Sequence, residues 1–362
     1  MDHKLTVNYE NQPVYDIFIE PNFGKLSQAI KFLKMSDRRF MIVSDSNVSK
    51  FYLEEILALL RPEAKYVTSF TFPAGESSKN LATVNECYEQ LILSGFDRND
   101  ILVALGGGVV GDLTGFVAAT YLRGIRFLQI PTSLLSMVDS SIGGKTGVDY
   151  KAYKNMVGAF HQPKLVYMNL STLASLPDLE FYSGMGEVIK HGLIKDRNYY
   201  TWLKNNRNKI TTKNYDILSE MIFKSSQIKT KVVEADPKEQ GERALLNFGH
   251  TIGHSVEKLK DFSLLHGECV SIGMAAAAQI SLKRGLLNLT DYEDILHTIK
   301  SFNQPVTVQK LSAAEVYEVT KSDKKMDSDK IRFILLISIG EAIIDLSVTK
   351  EEMLEAILSV LS

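Results

Sequence analysis

Ile101-Leu102-Val103-Ala104-Leu105-Gly106-Gly107-Gly108-Val109-Val110-Gly111-Asp112 runs from an apolar, strand-like segment through three glycines into a helical pattern over residues 113–121. Strand, glycine loop and helix in this order are what a dinucleotide-binding loop requires, because glycine lets backbone N–H groups approach a pyrophosphate at a helix N-terminus. Gly106, Gly108 and Gly111 have the G-x-G-x-x-G spacing, which alone fits a tight turn with no ligand equally well. The loop follows the third strand signal rather than the first, and Pro131 stands about 20 residues on, where the usual fingerprint has an acidic ribose ligand. A nucleotide here therefore binds in a variant mode. Asp45, ending the first clear strand, suits either the ribose carboxylate or an Asx turn.

Working outward, short β-branched runs at 40–43, 66–72, 101–105, 127–130 and 165–168 alternate with helical patterns. In one of these, 79–93, Leu81, Val84, Tyr88, Leu91 and Ile92 recur at helical spacing. The alternation predicts an α/β layer with a mostly parallel, Rossmann-like sheet. After Leu176-Pro177-Asp178 strand signals nearly vanish and long helical patterns continue, with 331–339 readable as a late strand pair. The expected organisation is an α/β domain over 1–177 and a mainly α-helical domain over 178–362, with Asp178 capping the first helix of the second.

Composition sets the outer limits. At roughly 150 residues per domain, 362 residues imply two domains, large enough to bury about 75% of the unfolded surface without structural staples. A net charge of -2 argues against a basic nucleic-acid binder. Cys87 and Cys269 are far apart, suggesting neither a disulfide framework nor a cysteine-based zinc knuckle, and the polar N-terminus has no leader pattern. Both point to the cytoplasm. The longest low-polarity stretch, 269–280, is too short to cross a bilayer, so no membrane role is expected.

Three constellations suggest chemistry. His250-Thr251-Ile252-Gly253-His254 places two imidazoles on one helix face, and His266-Gly267-Glu268 follows, a set suited to a divalent metal or an acid/base group. A carboxylate is the expected third ligand, and Glu187 in Gly184-Met185-Gly186-Glu187 is a candidate because small residues let other segments approach; His191 reads as structural. Lys145, Lys154-Asn155, Lys190, Lys229, Arg243 and Lys324-Lys325 would suit a small phosphate- or carboxylate-bearing anion if they converge. Pro73-Ala74-Gly75-Glu76-Ser77-Ser78-Lys79 is a further loop at a strand's carboxyl end, where ligands collect, though by itself it reads as a capped helix start.

Taken together, these segments resemble the 3-dehydroquinate synthase family of sugar phosphate cyclases, from about residue 45 to residue 325. The match is strongest in Asn247-Phe248-Gly249-His250-Thr251-Ile252-Gly253-His254 and Gly143-Gly144-Lys145, and includes Tyr121-Leu122-Arg123-Gly124, Pro131-Thr132-Ser133 and Asp323-Lys324-Lys325. The resemblance implies a homodimeric enzyme that converts 3-deoxy-D-arabino-heptulosonate 7-phosphate to 3-dehydroquinate and phosphate, in the shikimate pathway of aromatic amino-acid biosynthesis. Its course would be transient oxidation by NAD, phosphate elimination, reduction, ring opening and aldol closure, without net redox. It further implies that Glu187, His250 and His266 bind Zn2+ or alternatively Co2+, leaving His254 to substrate and proton handling.

Phosphate would fall to Lys145, Asn155, Lys324 or Lys325, and Arg123 offered across a dimer. Carboxylate contacts would fall to Lys229 and Arg243, and hydroxyl orientation to Asp139, Lys154, Lys190 and Asn247. NAD would touch Asp45, Gly75, Glu76, Ser77, Ser78, Lys79, Gly108, Val109, Val110, Gly111, Asp112, Thr132, Ser133, Lys145, Lys154, Thr172, Leu173, Ala174 and Ser175. The nearest alternatives are another NAD- and metal-using sugar phosphate cyclase and a metal-dependent polyol dehydrogenase, the latter needing fewer cations.

Overall fold

Phe40 and Ile42 face one hydrophobic core, while Met41 and Val43, between and beside them, face another. Such alternation marks a strand covered by helices on both sides. The computed structural model describes residues 3–151, 153–261, 263–321, 326–327 and 330–362. It divides into two compact units, Met1–Leu176 and Pro177–Ser362.

The first unit contains β1 (His3–Tyr9), β2 (Gln12–Glu20), β3 (Arg39–Asp45), β4 (Tyr66–Phe72), β5 (Ile101–Gly106), β6 (Arg126–Pro131), β7 (Lys145–Tyr150), β8 (Tyr153–Phe160) and β9 (Leu165–Asn169). Seven of them form one sheet in the order β1-β2-β9-β6-β5-β3-β4. Only β1 runs antiparallel in it; β7 and β8 pair separately as an antiparallel hairpin. Helices α1 (Leu26–Phe32) and α2 (Ser49–Leu60) cover one face, and α3 (Leu81–Leu93) and α4 (Gly108–Thr120) the other. β4 lies on one side of β3 and β5 on the other, so the chain reverses its progress across the sheet there. At such a switch point the connecting loops diverge and leave a crevice at the carboxyl ends of the strands.

The second unit is mainly helical: α5 (Asp178–Lys195), α6 (Arg197–Thr211), α7 (Tyr215–Ala235), α8 (His250–Leu259), α9 (His266–Lys283), α10 (Leu289–Ser301), α11 (Ala313–Thr320) and α12 (Lys350–Ser359). Phe333–Ser338 pairs antiparallel with Glu341–Asp345, so the apolar run at 331–339 is strand. Among the described residues, no helix is long and apolar enough to cross a membrane.

Three local expectations change. α4 begins at Gly108, inside the glycine run, rather than near residue 113. α3 begins at Leu81, because the Asn80 side chain accepts from the backbone N–H groups of Ala82 and Thr83 and caps it, leaving Lys79 outside. Pro177 occupies the cap position of α5, and Asp178 lies in its first turn, where a carboxylate favours the positive end of the helix dipole. Strands β1, β2, β7 and β8 are additional to those read from the sequence.

Candidate functional site

In the second unit, three helices deliver three ligand-type side chains to one point. Glu187 lies on α5, His250 opens α8 and His266 opens α9. Their ligand atoms lie within 4.8 Å of one another. His250 Nε2 is 3.6 Å and His266 Nε2 3.5 Å from Glu187 Oε1. Close helix crossings make this convergence sterically feasible. Gly249, before His250, has φ +81°, and a β-carbon there would stand 2.6 Å from the Val270 carbonyl oxygen on α9. Glycine alone satisfies both the left-handed backbone and that contact.

His250 Nδ1 lies 3.2 Å from the Phe248 carbonyl, the geometry of an N–H donor, which leaves Nε2 with the lone pair. His254 stands beside the pair, its ring centre 5.1 Å from that of His250 and 5.9 Å from that of His266. Burial opposes the charged form of His266, but the Glu187 and Glu257 carboxylates on its two sides outweigh it and raise the group to about 9. Two imidazoles and a carboxylate with an open fourth position are the donor set of a catalytic zinc centre, so these residues fit a divalent cation.

In the same unit, three of the expected anion-binding cations are buried rather than solvated. Lys190, one turn after Glu187 and 1% exposed, pairs with its carboxylate; Lys229 and Arg243 are also buried. The Asp236 carboxylate accepts from the backbone of Gln240, Gly241 and Arg243, and Arg243 in turn donates to the Pro237 carbonyl at 2.7 Å. Asn247 Nδ2 donates to Glu239 Oε1 at 2.7 Å. His191 shares a 2.7 Å hydrogen bond between Nδ1 and the Ser225 hydroxyl, in keeping with a structural place. Lys324 and Lys325 lie outside the described residues.

In the first unit, the expected nucleotide residues occupy one edge of the sheet. Asp45 ends β3, Gly75–Lys79 follows β4, Gly108–Asp112 opens α4 after β5, Thr132-Ser133 follows β6, and Thr172–Ser175 follows β9. The N-cap position of α4 is Gly107, which has no side chain to cap it, and the Thr132 N–H donates to the Gly106 carbonyl, fixing the loop beside it.

Several of these side chains already have structural work. Asp45 Oδ1 accepts from the backbone of Asn47 and Val48, the Asx turn considered above. Ser78 donates to the Pro73 carbonyl, Ser133 and Ser136 share a hydroxyl contact, and Thr172 and Leu173 are buried while Ala174 is exposed. The Ser175 hydroxyl is hydrogen-bonded to Tyr52 on α2.

Lys79 is 4% exposed and bonds Asp112 Oδ2 at 2.7 Å and Asn155 Oδ1 at 2.6 Å. Burial alone would lower its pKa, but Asp112, Glu76 and Asp149 outweigh it and raise it, keeping the ammonium charged. Lys154 lies 3.7 Å from Glu76, so loop and hairpin share one charged network. Asp139 is half-buried in the turn Ser136–Ser140, and Lys145 is exposed at the start of β7. Arg123 is exposed with φ +69°, next to Leu122 at +50°. Sequence reasoning missed the pairing of Lys79 with Asp112 and the approach of Glu257 to His266; a carboxylate one turn after His254 was the available signal for the latter.

Residues 69–183 match the 3-dehydroquinate synthase N-terminal family and residues 184–326 the 3-dehydroquinate synthase C-terminal family. The chain belongs to the 3-dehydroquinate synthase family. It is 40% identical over 357 residues to the 3-dehydroquinate synthase of Acetivibrio thermocellus, covering 98% of each chain. To that of Pelobacter propionicus it is 42% identical over 358 residues, covering 97% of each.

Among solved structures, the 2-epi-5-epi-valiolone synthase of Streptomyces hygroscopicus, with NAD+ and Zn2+ bound, matches with a TM-score of 0.88 and 27% identity, over 98% of this chain and 99% of that one. A 2-deoxy-scyllo-inosose synthase complexed with carbaglucose-6-phosphate, NAD+ and Co2+ has a TM-score of 0.89 at 24% identity, over 99% and 100% of the chains, and shares the fold. The two-part α/β and helical architecture is thus that of enzymes related to the 3-dehydroquinate synthase family.

Proposed function

We propose that this enzyme converts 3-deoxy-D-arabino-heptulosonate 7-phosphate to 3-dehydroquinate and phosphate, using NAD and one divalent metal, Zn2+ or alternatively Co2+, as a cytoplasmic homodimer. The observation that carries this reading is the donor set of Glu187, His250 and His266 within 4.8 Å, in a chain of this family. When bound, NAD supplies a reversible hydride acceptor and the metal polarises substrate oxygen atoms.

The chain's own residues do the remaining work. Lys229 and Arg243, buried at 5% and 2% exposure, offer positive charge with little competing water, as recognition of a small carboxylate requires. Lys190 and Asn247 orient hydroxyl groups, and His254, beside the metal-ligating imidazoles, holds or passes a proton at its ring nitrogen. Asp139 and Lys154 add hydroxyl contacts, while Lys145, Asn155, Lys324 or Lys325 and a dimer partner's copy of Arg123 grip phosphate. The backbone at Arg123 supports that reading, because an exposed residue is held there at φ +69°, a conformation that carries a cost. For NAD, the support is topological: the glycine run opens α4 at the carboxyl edge where the sheet reverses.

The test is direct detection of 3-dehydroquinate from the heptulosonate phosphate by the purified, zinc-loaded protein with NAD. Expected is one product and one phosphate per substrate with no net reduction of NAD. Phosphate release with a different carbocycle would indicate another sugar phosphate cyclase; no release would overturn the proposal.

A further inference from the structure

His266 stands between two carboxylates. Its Nε2 faces Glu187 Oε1 at 3.5 Å and its Nδ1 faces Glu257 Oε1 at 3.9 Å. Glu257 lies on α8, seven residues after His250 and three after His254, and is 4% exposed. Two turns of helix put it on the same face as His250. We propose that Glu257 is a positioning residue for the metal centre, holding His266 from behind so that Nε2 faces the ion; the inference rests on the metal reading above.

The chemistry follows from imidazole itself. A neutral ring has one lone pair and one N–H, so if Nε2 is to ligate, Nδ1 must carry the proton and needs an acceptor. His250 already shows this pattern, with Nδ1 directed at the Phe248 carbonyl and Nε2 toward Glu187. His266 is the first residue of α9, and the group facing its Nδ1 is Glu257 rather than a carbonyl. At 3.9 Å the carboxylate is a charge neighbour, and a small approach to Nδ1 would make it the acceptor that fixes tautomer and ring orientation and makes the ligating nitrogen more basic.

His254, Glu257 and His266 also bring ligand atoms within 4.8 Å of one another, so Glu257 has a second conceivable task as a metal ligand itself. Filling both sets at once would require both nitrogens of His266 to ligate, hence loss of its remaining N–H proton. Positioning needs only the ordinary neutral ring.

The test uses the full chain, Co2+ as the probe and the variants Glu257→Gln and Glu257→Leu. Affinity is read by chelator competition at alkaline pH, where protons no longer compete at His266, together with the Co2+ d–d spectrum. Wild type should bind one Co2+, Glu257→Gln more weakly and Glu257→Leu more weakly still, within about 10–100-fold. The d–d bands should shift, and the metal-free melting temperature of the Gln variant should stay near wild type. Unchanged affinity and spectrum in the Gln variant would overturn the proposal even if the Leu variant failed to fold. So would a second Co2+ in wild type that is lost in Glu257→Gln while the first is unaffected, since Glu257 would then be a ligand. No Co2+ binding by wild type would instead overturn the metal reading on which the inference rests.

Discussion

Gly267 of α9 lies against Ser183 of α5 so closely that a β-carbon on the glycine would stand 1.8 Å from the Ser183 carbonyl oxygen. The Gly267 N–H also donates to the Ser183 hydroxyl at 3.1 Å. Because His266 immediately precedes Gly267 and Glu187 lies one turn beyond Ser183, this crossing sets the separation of two metal-ligand candidates. The expected effect of Gly267→Ala is a stability loss of about 1–3 kcal/mol or more, since the obstructing atoms are backbone. Metal content should fall with it. Denaturant titration with metal analysis checks both, and wild-type values in the two assays would refute the steric account.

The two histidines of α8 should separate by role. His250→Ala is expected to lose bound metal and turnover together. His254→Ala should keep its metal and lose turnover, by a factor on the order of 10²–10⁴ if the ring handles a proton. Metal analysis beside steady-state kinetics distinguishes them; metal loss from the His254 variant would move that ring into the ligand set.

Metal uptake should depend on pH. In the metal-free protein His266 is raised to about 9, so below that pH an incoming cation must displace a proton. Affinity is therefore expected to rise about tenfold per pH unit up to about 9 and then level off, with about one proton released per ion at neutral pH. Calorimetry in buffers of different ionisation enthalpy measures that release. Metal binding without proton release would contradict the assignment.

Lys79→Met should destabilise the first unit by about 3–5 kcal/mol, because it leaves Asp112 as a largely buried, unpaired carboxylate. Adding Asp112→Asn should recover part of the loss. A double variant no more stable than Lys79→Met alone would show that the ion pair is not the source of the effect.

Arg284, following α9, grips Glu352 on α12 through two hydrogen bonds of 2.6 and 2.7 Å and also pairs with Asp345. The Arg284 hydrogen bonds, opposed by burial and reinforced by the Thr349 backbone, lower Glu352 to about 2. A carboxylate depressed in the fold stabilises it above the unfolded pKa of about 4.5, and that stability is lost as pH falls toward 2. Glu352→Gln should therefore be less stable than wild type at neutral pH, with the difference shrinking between pH 4.5 and 2. A pH-independent difference would count against this linkage.

Much of the fold was legible locally. The runs that became β3, β5, β6 and β9 are mostly apolar because a parallel strand inside the sheet is covered on both faces, whereas β4, at the sheet edge and largely part-exposed, was legible from its alternating β-branched and aromatic residues. β1 and β8 were not legible: one lies at the sheet edge and the other in a separate hairpin, and their mixed exposure leaves no such signature. The start of α3 was misplaced by two residues because the Asn80 cap, not the apolar pattern, decides it.

Local sequence pattern specified the α/β-then-helical order and the glycine run that opens α4, and family resemblance singled out Glu187, His250 and His266 as candidates. Tertiary structure alone decided that these three residues, 63 and 79 positions apart along the chain from Glu187, share one point, and that Lys79 meets Asp112 while His266 meets Glu257. The physical reason is range. Strand and helix patterns answer to burial and hydrogen bonding within a few residues, whereas a carboxylate facing an imidazole depends on how closely two helix backbones approach, and that distance is set by packing.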